Sequence, residues 1–269
     1  MTTRPTYRRT LRPAVAGTAA LLALSACSSS DDSARTSSPS SPGDLRGTVA
    51  VFAAASLKEG FTKLGQEFEA AHPGTKVTFN FGGSDALAAG ITSGAPADVF
   101  AAASPKTMRI VTDAKDAAGA PATFARNQLE IAIVPGNPKD VATLEDLTKS
   151  GLKVALCAKE VPCGAAAQKA LDAAGVKLTP VSYEQDVKSA LTKVELREVD
   201  ASVVYRTDVK AAAGKAEGVE FPESAGAVND YPIVLLKDAP NAGAAKAFIA
   251  LVRSGQGQKA LAEAGFLKP

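Results

Sequence analysis

From Gly47 to the C-terminus, short runs of β-branched or small residues alternate with segments that repeat apolar residues at helical spacing. That alternation constrains the chain to an α/β architecture with mainly parallel strands. GTVAVFAA reads as a strand, and the helix after it puts Leu57, Phe61, Leu64 and Phe68 on one face before stopping at His72-Pro73-Gly74. KVTFNF alternates Val77, Phe79 and Phe81 with polar neighbours, GGSDALAAGI turns into a second helix, ADVFAAA is a third strand, and Pro105 opens a third helix. LEIAIVPGN, KVALCA and ASVVYR supply further strands, separated by the helical stretches AAAQKALDAAG and DVKSALTKVEL. YPIVLL is another strand, and AKAFIALVRSGQGQKALAEAGF reads as one or two amphipathic helices. Two or three such units on each side fit two lobes better than one, and 269 residues suffice for two domains of ordinary size.

The first 46 residues are of a different kind. Basic residues to Arg12 precede the apolar run AVAGTAALLAL, which is too short to span a bilayer and reads as the core of an export signal over residues 1–26. LSAC resembles the lipobox of bacterial lipoproteins, which implies lipidation of Cys27 and a chain held at the extracytoplasmic face of the cell membrane by its anchor alone. Arg8-Arg9 leaves general and twin-arginine export both open. Residues 27–46 are rich in Ser, Pro and Asp and nearly free of apolar side chains, a composition expected of a disordered tether.

Loss of the signal removes Arg4, Arg8, Arg9 and Arg12 and takes the formal charge from +2 to −2. No basic field remains to attract nucleic acid, and zero Trp with four Tyr offers little for stacking bases. The one histidine, His72, stands at a helix end, which argues against histidine-clustered metal sites and a Ser-His-Asp triad. No GxGxxG or Walker loop is present, and Glu195 and Glu198 look like a solvated helix face. The chain reads as a binder and not as an enzyme.

With Cys27 assigned to lipid, Cys157 and Cys163 remain as a pair in an oxidising compartment, where a disulfide is expected; the alternative is two buried thiols. Several strand-to-helix junctions carry hydroxyls, glycines or small residues: Ser56, Ser84 after two glycines, Pro162-Cys163-Gly164, and Asp186-Val187. Singly, Ser56, Ser84 and Asp186 are ordinary N-cap residues. Together, without flanking Lys or Arg at most of these turns, they suit an oxyanion held by the neutral donors of helix N-termini.

FAAASLKEGF, GGSDALAAGITSGAPADVFAAAS, VPCGAAAQKAL, QDVKSAL, SVVY and SGQGQKALAEAGF resemble, in this order from about Thr48 to Phe266, the periplasmic molybdate-binding proteins of molybdate ABC importers. The resemblance implies a type II periplasmic-binding-protein fold with two α/β lobes and a ligand cleft between them. Lobe 1 would comprise residues 47–126 plus 229–269 and lobe 2 residues 127–228, with hinges near 127–129 and 225–230. It further implies a molybdate or tungstate oxyanion held by Ser56 and Ser84 through hydroxyl and backbone, Cys163 and Val187 through backbone N–H, and Tyr205 through its phenol. Molybdenum would enter only as that ligand, with no cofactor. The partners would be a membrane permease and its ATPase subunit, and the binding protein a monomer. Sulfate- or phosphate-type specificity, or an enzyme or receptor on the same fold, are the alternatives. Cys163 stands where the family commonly has a small residue, and Asp85 where Ser or Thr is expected. Asp85 should face solvent or cap its own helix; turned inward, it would accept a proton and favour phosphate-like ligands.

Overall fold

A computed structural model describes residues 45–269; the export signal, Cys27 and nearly all of the expected tether lie outside the described residues. In chain order the first elements are β1 (Gly47–Ala54), α1 (Lys58–Ala71), β2 (Thr75–Gly82), α2 (Ser84–Thr92), β3 (Val99–Ala101), α3 (Pro105–Asp113) and β4 (Ala122–Asn127). A second series follows: β5 (Leu129–Ile133), β6 (Val154–Cys157), α4 (Pro162–Ala174), β7 (Ser182–Glu184), α5 (Val187–Glu195), β8 (Ala201–Tyr205), α6 (Arg206–Ala211) and β9 (Glu217–Val219). The chain ends with β10 (Asn229–Leu235), α7 (Ala242–Arg253) and α8 (Gly255–Glu263).

These strands form two five-stranded sheets of matching plan, ordered β2-β1-β3-β10-β4 and β7-β6-β8-β5-β9, within one compact unit. The chain leaves the first sheet at Asn127, enters the second at Leu129, and returns to the first with β10. The strands that adjoin these crossings are antiparallel to their neighbours: β10 against β3 and β4, and β5 against β8 and β9. Half of the strand pairings are therefore antiparallel, yet in each sheet only one strand, β10 or β5, opposes the other four, so the strands are mainly parallel as the alternation implied and the sheets are mixed. Alternation reports only local βα units, which do pair in parallel as β1 with β2 and β3, and β6 with β7 and β8. A strand that arrives from the other lobe is not bound by that rule.

The α1 face read from the sequence is buried as expected: Phe61, Leu64 and Phe68 are fully covered. Phe61 meets Phe124 at 5.6 Å and Phe248 at 5.9 Å, joining α1, β4 and α7 in one core. The opposite face of the first sheet is covered by α2 and α3 through Leu87, Ile91, Met108 and Val111. In the second lobe Ile131, Val154, Leu171, Leu191 and Val203 belong to a core of their own. The C-terminal segment resolves into two helices, because Ser254 ends α7 and caps α8 by accepting the Gly257 N–H at 3.2 Å. His72 caps the C-terminus of α1 and packs on Phe68 at 4.7 Å, a structural role.

Candidate functional site

Register brings the strand-to-helix junctions together. β1 and β2 pair from Gly47 with Thr75 to Ala54 with Gly82, so they end side by side and release Ser56 and Ser84 at the same sheet edge. In the other lobe Cys157 pairs with Glu184, which places the start of α4 beside the start of α5. Both sets lie beyond the carboxyl ends of parallel strands, where α/β sheets bind ligands.

Between them is one small cavity, walled by Ser56, Gly83, Ser84, Ala103, Cys163, Val187 and Tyr205 among others, with only about 10 Å³ open to the centre of a water-sized sphere. That is room for about one water-sized body. All five residues singled out from the sequence line it. Ser84 is the first residue of α2, Cys163 the second of α4 and Val187 the first of α5, positions whose N–H groups have no acceptor within their own helix. No lysine or arginine is in the wall, and its one charged member, Asp186, is engaged elsewhere: it caps α5, accepting the Ser189 N–H at 2.9 Å and the Ser189 hydroxyl at 3.0 Å. Asp186 is thus an N-cap residue. Ser56 and Ser84 are not, since neither side chain caps its helix; Ser84 Oγ instead accepts the Ala103 N–H at 3.0 Å, and Ser56 Oγ lies 2.8 Å from the Tyr231 hydroxyl.

Tyr205 ends β8 and is 1% exposed. Burial raises its phenol pKa well above the usual value, so at neutral pH it is a hydrogen-bond donor. Its oxygen accepts Asn229 Nδ2 at 2.8 Å. Asp85 is outside the cavity wall. Of the two placements expected, solvent or its own helix end, it takes neither fully: it is half-buried in the first turn of α2, whose positive end favours a carboxylate, makes no capping hydrogen bond, and has Oδ1 buried without a partner among the described residues.

The disulfide is present between Cys157 and Cys163, with Cα atoms 5.8 Å apart, tying the end of β6 to the first turn of α4. Gly164 follows so closely on Ala158 and Cys157 that a Cβ there would run into both carbonyls. The lobes also meet around the cavity. Gly83 abuts the Gln185 carbonyl, and Lys188 of α5 reaches Glu59 of α1 at 2.9 Å and Asp208 of α6 at 3.1 Å. Asp208 is fully buried, accepts the Tyr205 N–H at 3.2 Å, and has its pKa pushed up to about 6 by burial, against the pull of Lys188. Burial opposes charge on Lys188 too, but Asp208 and Glu59 outweigh it and raise its pKa.

Sequence reasoning missed Tyr231, Asn127, Asn229 and the Lys188 ion cluster. Tyr231 carried a signal only as part of a strand, and the asparagines sit in strand ends whose pairing no local pattern reveals. Among the described residues no group of three or more His, Cys, Asp or Glu is arranged to hold a metal ion, and no helix is long and apolar enough to cross a membrane.

Two α/β lobes closing on a cavity at their strand ends define the class. The chain belongs to the bacterial extracellular solute-binding protein family, whose model matches residues 49–267. It is similar to the molybdate-binding protein ModA of Mycobacterium tuberculosis, at 43% identity over 246 residues that cover 91% of this chain and 93% of the relative. The molybdate-binding protein ModA of Escherichia coli is 30% identical over 233 residues, covering 82% of this chain and 89% of its own length. The periplasmic molybdate-binding protein of Azotobacter vinelandii shares the fold, with a TM-score of 0.72 at 21% identity over 82% of this chain and 99% of that one.

Proposed function

We propose that the chain captures molybdate, and tungstate with it, outside the cytoplasm and delivers it to an ABC permease driven by its ATPase subunit. The carrying observation is the cavity itself: two hydroxyl side chains, a phenol and three helix starts converge on one small space, with no cationic side chain in the wall. Ser56, Ser84 and Tyr205 donate through oxygen, and Cys163 and Val187 through backbone N–H. The 43% identity to a protein named for molybdate binding supports the choice of ion. Molybdate is cargo here and not a cofactor.

Capture proceeds by closure about the crossings at Gln128 and Val228, between residues 47–126 plus 229–269 and residues 127–228. The open form presents Ser56 and Ser84, and the second lobe adds Cys163, Val187 and Tyr205 as water leaves. Fixed dipoles replace hydration, and an ion of the wrong size leaves buried donors unmet at about 1–3 kcal/mol each. The protein works as a monomer, lipid-anchored through Cys27.

Thermal unfolding of the soluble form, lacking residues 1–27, against molybdate, tungstate, sulfate and phosphate tests the reading. A ligand at 100 times its Kd adds about 2.7 kcal/mol to stability. Shifts with molybdate and tungstate alone are expected; a shift with sulfate or phosphate alone reassigns the ligand, and none with any anion removes the reading.

A further inference from the structure

Asp85 is the second residue of α2 and follows the cavity serine Ser84 directly. It stands just outside the wall, half-buried, and its Oδ1 is covered without a hydrogen-bond partner among the described residues. Gly83 shows what surrounds that oxygen. A Cβ placed on Gly83 would meet the Gln185 carbonyl oxygen first and Asp85 Oδ1 next, at 2.9 Å. Gln185 lies between β7 and α5, in the second lobe. Two oxygens, one from each lobe, thus crowd a single point of the seam beside the cavity. A carbonyl and an ionised carboxyl are both acceptors only, so neither can satisfy the other.

The charges nearby do not relieve this. Among the described residues no ion pair includes Asp85: Lys188 is held by Glu59 at 2.9 Å and Asp208 at 3.1 Å, and Lys193 by Glu198 at 2.6 Å. The residue after Gln185 is a second carboxylate, Asp186, whose oxygens are taken by the N–H and hydroxyl of Ser189. Asp85 therefore works against capture in two ways. Closing the lobes takes its Oδ1 out of water against another acceptor, with no donor to replace the lost hydration. Its negative charge, in the first turn of α2, also cancels part of the positive helix end that would face an anion at Ser84.

We propose that Asp85 is an affinity-setting residue: its carboxylate opposes closure of the lobes on the oxyanion and speeds the release of the bound ion. This rests on the reading of the cavity as an oxyanion site. The donors in the wall hold the ion, and the unpaired charge at the seam limits how firmly the lobes stay shut over it. An amide in place of the carboxyl carries no charge, and its NH₂ group faces a carbonyl that accepts it.

The test compares wild type, Asp85→Asn and Asp85→Ser by calorimetric titration with molybdate and by stopped-flow measurement of binding and release. Asp85→Asn should tighten molybdate about tenfold, chiefly through slower release, since it removes the charge and supplies the missing donor. Asp85→Ser removes the charge alone, its side chain being too short to bring a donor to the carbonyl, and should tighten binding about threefold. Asp113→Asn, which removes an exposed carboxylate at the far end of α3, is the control for net charge and should stay within about twofold of wild type. Damage to the fold lowers affinity, so a gain cannot arise from it. Unchanged or weaker binding by Asp85→Asn overturns the proposal, as does an equal gain in Asp113→Asn; if Asp85→Asn does not fold, Asp85→Ser decides by the same criterion. Wild-type protein is titrated first: no molybdate binding there overturns the functional reading, whereas wild-type binding with no gain in the Asp85 variants overturns this one alone.

Discussion

Removing the Tyr205 hydroxyl takes one neutral donor from a fully buried position and leaves the rest of the wall in place. A hydrogen bond to a charged group contributes about 1.5–3 kcal/mol. Tyr205→Phe should therefore weaken molybdate by roughly 10- to 100-fold in calorimetry, with the unliganded melting temperature nearly unchanged. Asp208 is the opposite case, a buried charge whose effect is on stability. Its pKa rises from 3.8 to about 6, chiefly through burial. A carboxyl raised in this way stabilises the fold fully below its unfolded pKa, and the contribution is lost as pH rises through the folded one. The melting temperature of wild type minus that of Asp208→Asn should thus grow as pH falls from 7 to 4, most steeply at about 5, between the unfolded and folded values. A difference that is flat with pH would mean that Asp208 does not titrate in this window.

At the scale of elements, the site depends on where helices begin. The disulfide closes a short loop from β6 into the first turn of α4. In the chain-entropy model so short a loop contributes roughly 2 kcal/mol. Replacing Cys157 and Cys163 by serine should lower stability by about that amount in urea titrations, and molybdate affinity should fall as the Cys163 N–H loses its fixed direction. Gly83 precedes α2 and abuts the Gln185 carbonyl across the seam between the lobes. Gly83→Ala places a methyl group against that carbonyl. It should hold the lobes apart, seen as weaker molybdate binding and as loss of ligand-induced compaction in small-angle scattering, while each lobe keeps its fold.

For the whole molecule, the two sheets repeat one plan: three parallel strands, then one strand that arrives from the other lobe and runs against them, then an edge strand that runs with the first three. This puts the carboxyl ends of both parallel sets at one seam. Ion pairs and backbone contacts there, Lys188 to Glu59 at 2.9 Å among them, join the two lobes across the seam and on the proposed mechanism would hold them closed. Lys188→Ala should destabilise closure without touching a donor in the wall. The expected result is modestly weaker molybdate binding, dominated by faster release in stopped-flow measurements.

The sequence by itself determined what local chemistry can determine. The buried face of α1 follows from apolar spacing, the disulfide from two cysteines left in an oxidising compartment, and Asp186 as an N-cap from its place before α5. The strand-to-helix junctions were legible because serine, glycine and proline mark helix starts wherever they lie. Their assignment to one ligand came from resemblance, since convergence depends on sheet register between segments far apart in the chain. β4, β7 and β9 were not distinguished: β7 and β9 have three residues each, and β4, ATFARN, buries adjacent residues Phe124 and Ala125 and so shows no clean alternation. The antiparallel crossing strands and the Asn127–Tyr231–Ser56 chain were decided by tertiary structure alone. A hydrogen bond spanning 175 positions, as between Ser56 and Tyr231, leaves no local pattern; it exists only because β10 returns from the other lobe to complete the first sheet.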